Sequence, residues 1–133
     1  MGYAFDTNVI IHLMRGTQSV RENKDKALLQ GEHFVIPPFV NYELLRGLMI
    51  KPITSHENAY AVIRNNCTLG EMTVDAWVYA AKIYAELYTK RFTVRDSDIV
   101  ITAFCIVNDY TLVTSNIKDF ANIDGLRLVD WVY

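Results

Sequence analysis

The stretch Tyr3-Ala4-Phe5-Asp6-Thr7-Asn8-Val9-Ile10 passes from an aromatic, apolar run through three polar residues into side chains at helical spacing, continued by Leu13 and Met14. A short strand feeding directly into a helix is the repeating unit of a parallel α/β sheet. Working outward, Phe34 to Ile36 and Thr111 to Thr114 read as further strands, and Leu126 to Val129 adds a last one near the C-terminus. The piece around Thr68 and Leu69 is ambiguous. Longer segments of helical period separate these runs. That alternation predicts an α/β fold with a central, mainly parallel sheet of roughly four to five strands and helices packed on it.

The clearest helix begins near Thr73, where Val74, Trp77, Val78, Ala81, Tyr84, Ala85 and Tyr88 recur every three or four positions. This stripe is expected to face the core. Another helix is expected to start at Thr54, because Thr54 and Glu57 have capping-box spacing ahead of Ala59-Tyr60-Ala61-Val62-Ile63. Pro37 and Pro38 close the second strand and open the helix that carries Glu43, since proline suits a first helical turn. The charge-rich segment Val20 to Gln30 reads as a solvated helix, and no repeat, low-complexity tract or linker interrupts the chain.

With 133 residues, 51% of them hydrophobic, the chain can bury one sizeable core but not two, so residues 1–133 read as a single domain. A formal net charge of −2 excludes neither nucleic acid nor protein partners, because a carboxylate-filled pocket offsets a basic surface in the sum. Cys67 and Cys105 match neither a disulfide framework nor zinc-ligand spacing, which suits a reducing cytoplasm. The opening residues show no basic stretch followed by an apolar run, so no secretory signal is expected. The longest nonpolar stretch, within Ile99 to Val107, is far short of the roughly 20 residues that cross a bilayer. A cytoplasmic protein without membrane contact is the expectation.

Asp6 directly follows the first strand, and ligand sites in parallel sheets gather at the carboxyl ends of strands. Aspartate is also a good helix N-cap, so position alone leaves both roles open. Glu43 lies in a segment, Phe39 to Ile50, whose apolar side chains fall on nearly every side of a helical projection, so protein is expected to cover much of it. A carboxylate there must be protonated, paired with Arg46 at i+3, or bound to a cation, because desolvating an unpaired charge is costly. Asp98 opens the very apolar helix ending at Val107, whose first turn should point at a strand-end pocket. An acid in a first turn also complements the helix dipole, with Asp96 or Ser97 available as the cap. Asn116 and Asp119 follow the strand ending at Thr114 and Ser115 and stand at i and i+3, where capping by Ser115 or Asn116 is the alternative role.

As a set, these acids are harder to explain separately. Like charges gathered in one pocket repel, and a divalent cation is the usual remedy. All-oxygen ligands favour magnesium or manganese over zinc or copper. Magnesium keeps several waters and binds few carboxylates, leaving phosphate oxygens to complete its shell. Such a metal lowers the pKa of a bound water and positions it for in-line attack on phosphorus, which describes a phosphodiesterase.

Four segments occur in order: Asp6-Thr7-Asn8, Tyr42-Glu43-Leu44-Leu45-Arg46-Gly47, Asp98-Ile99-Val100-Ile101-Thr102-Ala103, and Leu112-Val113-Thr114-Ser115-Asn116-Ile117-Lys118-Asp119-Phe120. With the closing Gly125-Leu126-Arg127-Leu128-Val129-Asp130-Trp131, they resemble the PIN-domain nucleases, and most closely the VapC-type toxins of bacterial type II toxin–antitoxin (VapBC) pairs. The resemblance implies a three-layer α/β/α sandwich. It implies a magnesium-dependent endoribonuclease, with manganese able to substitute, that acts as a toxin on RNA, transfer RNA being cut by some members. Asp6, Glu43 and Asp98 match the metal site and Asn116 completes the catalytic set, supported by Thr7, Asn8, Thr114, Ser115, Asp119 and Arg46. Also implied are a VapB-type antitoxin that occludes the site, homodimers or larger assemblies, and DNA contact only through the antitoxin. Many PIN domains carry a fourth Asp where this chain has Asn116, so a second metal would bind weakly or only with substrate.

Rival readings fare less well. A phosphoacceptor signalling domain wants paired acids after the first strand, where only Asp6 stands and Glu22 is the next carboxylate. A haloacid-type phosphatase needs a second Asp where Asn8 sits. A catalytically silent PIN-like module that binds protein or RNA remains the alternative. Lys90, Arg91 and Arg95 lead into the Asp98 helix, placed either to grip RNA phosphates or to form a solvated helix end. His12, His33 and His56 are scattered, and Trp77 is expected in the core.

Overall fold

A computed structural model describes residues 2–133. One sheet contains β1 (Gly2–Phe5), β2 (His33–Ile36), β3 (Thr68–Leu69), β4 (Tyr110–Val113) and β5 (Leu128–Val129), in the order β3-β2-β1-β4-β5. Every pairing is parallel. The flanking helices are α1 (Thr7–Arg15), α2 (Gln18–Leu29), α3 (Pro38–Ile50), α4 (Thr54–Asn65), α5 (Val74–Thr89), α6 (Asp96–Val107) and the short α7 (Ile117–Phe120). The α/β/α architecture is the one expected. The ambiguous piece at Thr68 and Leu69 forms an edge strand, and the last strand is shorter than Leu126 to Val129.

The central strands are buried on both faces, which is why they read as short apolar runs rather than alternating ones. Ala4, Phe5, Val35, Ile36, Leu112 and Val113 lie in the core, and the Phe5 and Phe34 rings stack at 5.2 Å between centroids. Because the strands are parallel, each crossover must leave the carboxyl edge of the sheet and return to the amino edge, where the next strand begins. Asp6 and the start of α3 therefore lie at the carboxyl edge, and α6, which runs back to the start of β4, begins there too. Pro38 opens α3 as expected, and Gly16, with φ of 75°, ends α1 by donating its N–H to the His12 and Leu13 carbonyls. Gly70 is needed for another reason: a Cβ there would collide with the Phe104 ring.

Helix α5 reverses the expected orientation. Ala76, Ala80, Ile83 and Leu87 are its buried residues, packed against α6, whereas Trp77 and Tyr88 are 53% and 75% exposed and Val74, Val78, Ala81, Tyr84 and Ala85 also face outward. Both stripes have helical period. The small Ala80, with Ile83 and Leu87, lets α5 approach α6 closely around Ile99 and Ala103, a fit the bulky stripe would prevent.

Other local expectations shift in role. Helix α4 does begin at Thr54, but Ile53 is its cap and no side-chain capping bond forms. Helix α3 is covered on one side only: Val40 and Leu44 are buried, while Met49 and Ile50 are exposed. Helix α6 is central as expected, yet Arg95, rather than Asp96 or Ser97, is the residue at its N-cap.

Candidate active site

The register of β1 on β4 pairs Phe5 with Val113, so the next residues along, Asp6 and Thr114, emerge side by side. Thr114 donates its hydroxyl to Asp6 Oδ2 at 2.8 Å, and the Asp6 backbone N–H is held by the Val113 carbonyl at 3.0 Å. Asp6 Oδ1 accepts the Thr7 N–H at 2.8 Å, making Asp6 the N-cap of α1 as well. The two readings of Asp6 are therefore compatible: one oxygen caps, the other is aimed by Thr114. Asp6 and Thr114 are both buried.

Glu43 comes from α3 and meets α1 through Thr7, whose hydroxyl donates to Oε1 at 2.8 Å. Its other oxygen lies 3.7 Å from the guanidinium of Arg46, a pair at i+3 that is partly exposed on both sides. Such a contact is too long for a hydrogen bond and weakly stabilising at the surface.

Asp98 sits in the first turn of α6 with its side chain only 6% exposed. Arg95 reaches it twice, from Nε to Oδ2 at 3.2 Å and from Nη2 to Oδ1 at 3.3 Å, and Nη2 also lies 3.8 Å from Asp119 Oδ2. Burial pushes the Asp98 carboxyl above its ordinary value; Arg95 pulls it back, while the charges of Asp6 and Asp119 push it further up. The field of Glu43 in turn reaches Arg95, so acids from the end of β1, from α3 and from α7 all act on the Arg95–Asp98 pair of α6.

Asn116 follows Thr114 and is tied to it through its backbone, its N–H donating to Thr114 Oγ1 at 3.0 Å. It occupies the N-cap of α7 without a side-chain capping bond, and its carbonyl accepts the Asp119 N–H at 3.0 Å. Asn8 is exposed on α1, and Ser115 is partly buried. The sequence reading left Arg95 as a phosphate contact or part of a solvated helix end, although its i+3 spacing to Asp98 repeats that of Glu43 and Arg46. Thr102, one turn further along α6 than Asp98, was missed; its hydroxyl is fully buried and has no hydrogen-bond partner among the described residues.

Among the described residues, no three carboxylate, histidine or cysteine side chains converge into a ready-made metal cage. Each acid is instead held by its own partner: Asp6 by Thr114, Glu43 by Thr7, Asp98 by Arg95. The donor set is nonetheless all oxygen, with the negative charges within each other's reach. That suits an ion such as magnesium, which keeps several waters and touches few carboxylates. Beside Thr7 and Glu43 opens an apolar groove of about 580 Å³ lined by Ile11, Met14, Leu44, Leu48, Ile53 and Ala59.

Residues 3–126 match the family model of the PIN domain, and this chain belongs to the PIN-domain family. It is similar to the protein called Ribonuclease VapC of Rickettsia bellii, 33% identical over 136 residues that cover 97% of this chain and 96% of that one. Ribonuclease VapC1 of Rickettsia felis is 30% identical over 139 residues with the same coverage of 97% and 96%. Among solved structures, VapBC2 from Rickettsia felis, bound to a DNA fragment from its promoter, superposes with a TM-score of 0.91 at 23% identity over 98% of this chain and 99% of that one. VapBC-1 from nontypeable Haemophilus influenzae superposes with a TM-score of 0.88 at 22% identity over 100% of both chains. No helix among the described residues is long and apolar enough to cross a membrane.

Proposed function

We propose that this chain is a magnesium-dependent endoribonuclease, with manganese able to substitute, that acts in the cytoplasm as the toxin of a toxin–antitoxin pair. The observation that carries this reading is the braced Asp6 carboxylate at the carboxyl edge of the sheet, close enough to buried Asp98 for its charge to act on that carboxyl. The relatives called Ribonuclease VapC support it, since they match nearly the full length of this chain.

In this reading Asp6, Glu43 and Asp98 hold the metal and Asn116 completes the polar rim. When bound, the ion supplies Lewis acidity toward a water and toward the scissile phosphate. The chain supplies the positioning. Thr114 fixes the rotamer of Asp6, Thr7 fixes Glu43, and the packed α6 fixes Asp98, so that carboxylates from distant parts of the chain are themselves held in place. Transfer RNA is the structured substrate to try first.

Two surfaces suit the expected partners. The apolar groove beside Glu43 is where an antitoxin segment would block the site. The outward stripe of α5 suits a second copy of the chain. Val74, Ala81 and Tyr88 stand a heptad apart, and antiparallel pairing about Ala81 sets Val74 against Tyr88 and Trp77 against Ala85, large against small.

The test is cleavage of total RNA and of transfer RNA by purified, antitoxin-free protein with magnesium, with and without chelator, beside Asp98→Asn. Chelator-sensitive cleavage that leaves 5′-phosphate and 3′-hydroxyl ends, and is abolished in the variant, supports the proposal. Cyclic phosphate ends point to attack by the ribose 2′-hydroxyl instead. Binding of RNA or protein without cleavage establishes the silent-module alternative.

A further inference from the structure

Arg95 is oddly placed. A cation at a helix N-terminus opposes the helix dipole, and Arg95 makes no side-chain capping bond there, so stabilisation of α6 does not explain it. Its partners are carboxylates. The guanidinium covers both oxygens of Asp98, at 3.2 and 3.3 Å, and lies 3.8 Å from Asp119.

The two members of the Asp98 pair are unequally held. Asp98 is fixed in the buried first turn of α6, its side chain 6% exposed, and cannot withdraw without unpacking the helix. The Arg95 side chain is 70% exposed and hangs from the residue before the helix, so rotation of its own torsions releases it. If either leaves the contact, it is the arginine.

We propose that Arg95 is the internal counter-cation of Asp98, displaced when a divalent ion engages that carboxylate and thereby freed to take a phosphate oxygen of the RNA strand. The proposal rests on the metal-dependent nuclease reading. An ion and the guanidinium fork need the same Asp98 lone pairs, so each lowers the occupancy of the other, and their like charges repel at close range. Once off Asp98, the fork remains tethered at the mouth of the site, where a phosphate offers the same bidentate match as a carboxylate. The two roles open to Arg95, pairing with an acid and gripping RNA, then become successive states of one side chain.

The experiment measures Mn2+ binding by electron paramagnetic resonance, without RNA, in wild type, Arg95→Gln and Arg95→Lys. Relief of the competition is expected to tighten Mn2+ binding by about 3- to 10-fold in Arg95→Gln, with little change in Arg95→Lys. Binding of a labelled transfer RNA with calcium in place of magnesium is then followed against salt, where Arg95→Gln should lower the slope of log K on log salt by about one. Unchanged or weaker Mn2+ binding by Arg95→Gln, beside a wild type that binds Mn2+ and cleaves RNA, overturns the counter-cation role and leaves the nuclease reading standing. A tighter Mn2+ site with an unaltered salt slope overturns the phosphate role. No Mn2+ binding by the wild type removes the nuclease reading and this proposal with it.

Discussion

Thr114 donates its hydroxyl to Asp6 Oδ2 at 2.8 Å although the two residues lie 108 positions apart, and the same Thr114 oxygen accepts the Asn116 N–H at 3.0 Å. One buried hydroxyl therefore aims the carboxylate at the end of β1 and pins the turn after β4. The contact follows from strand register, because any residue directly after Val113 must stand beside the residue directly after Phe5.

Thr114→Val keeps the shape and removes both bonds. It leaves a buried carboxylate oxygen and a backbone N–H without partners, which costs about 1–3 kcal/mol. Loosening Asp6 should also lower RNA cleavage by about 10- to 100-fold. Thr114→Ser restores most of both. Urea unfolding read together with initial cleavage rates checks this, and full activity in Thr114→Val would show that Asp6 needs no brace.

The strands, the parallel sheet and the positions of Asp6, Glu43 and Asp98 were legible because each depends on a local period or on the strand-end rule. Of the partners of these acids, the local Arg46 beside Glu43 was legible, but Thr114 and Thr7 were not, since register and side-chain direction depend on packing far along the chain: Thr7 reaches Glu43 only because α1 and α3 are adjacent. The α5 stripe shows the other failure. Two faces of that helix are apolar, and period alone cannot say that Ala80 goes in while Trp77 stays out. Only the small spacing that α6 demands decides it.

That exposure carries its own prediction. Trp77→Glu changes a half-exposed residue, so the folded chain should keep its melting temperature at low concentration, within the small range typical of surface substitutions. If the α5 face joins two copies, the same change buries charge in the contact and shifts the sedimentation profile toward monomer. A profile identical to wild type at every concentration places the contact elsewhere.

Gly70 tests the packing beneath the site. Its N–H donates to the Ile36 carbonyl at 2.9 Å, and the Phe104 ring occupies the place of a Cβ, itself buried and stacked on Tyr110 at 5.9 Å. Gly70→Ala should cost about 1–3 kcal/mol by overpacking, measured in urea. Its cost should shrink in a Phe104→Leu background, since neighbouring substitutions couple. Equal costs in both backgrounds would locate the strain in the backbone.

Asp98 sets function against stability, and pH separates the two. Burial holds its carboxyl above the ordinary value despite Arg95, so the folded chain binds that proton more tightly than the unfolded chain does. Stability from this group is greatest below the unfolded carboxyl value of about 3.9. It is lost as pH rises through the elevated folded value, because there the native state binds the extra proton. At neutral pH the whole cost of a charged Asp98 is present. Asp98→Asn removes it, and because Arg95 is largely solvated, little is forfeited on that side. In chelator at pH 7 the variant should melt above wild type, with the gap closing as pH falls and Asp98 protonates, while its cleavage of RNA is abolished. A variant that melts lower at pH 7 would mean that the Arg95 pair outweighs the burial of the charge, and Asp98 would then be in place for the stability of α6.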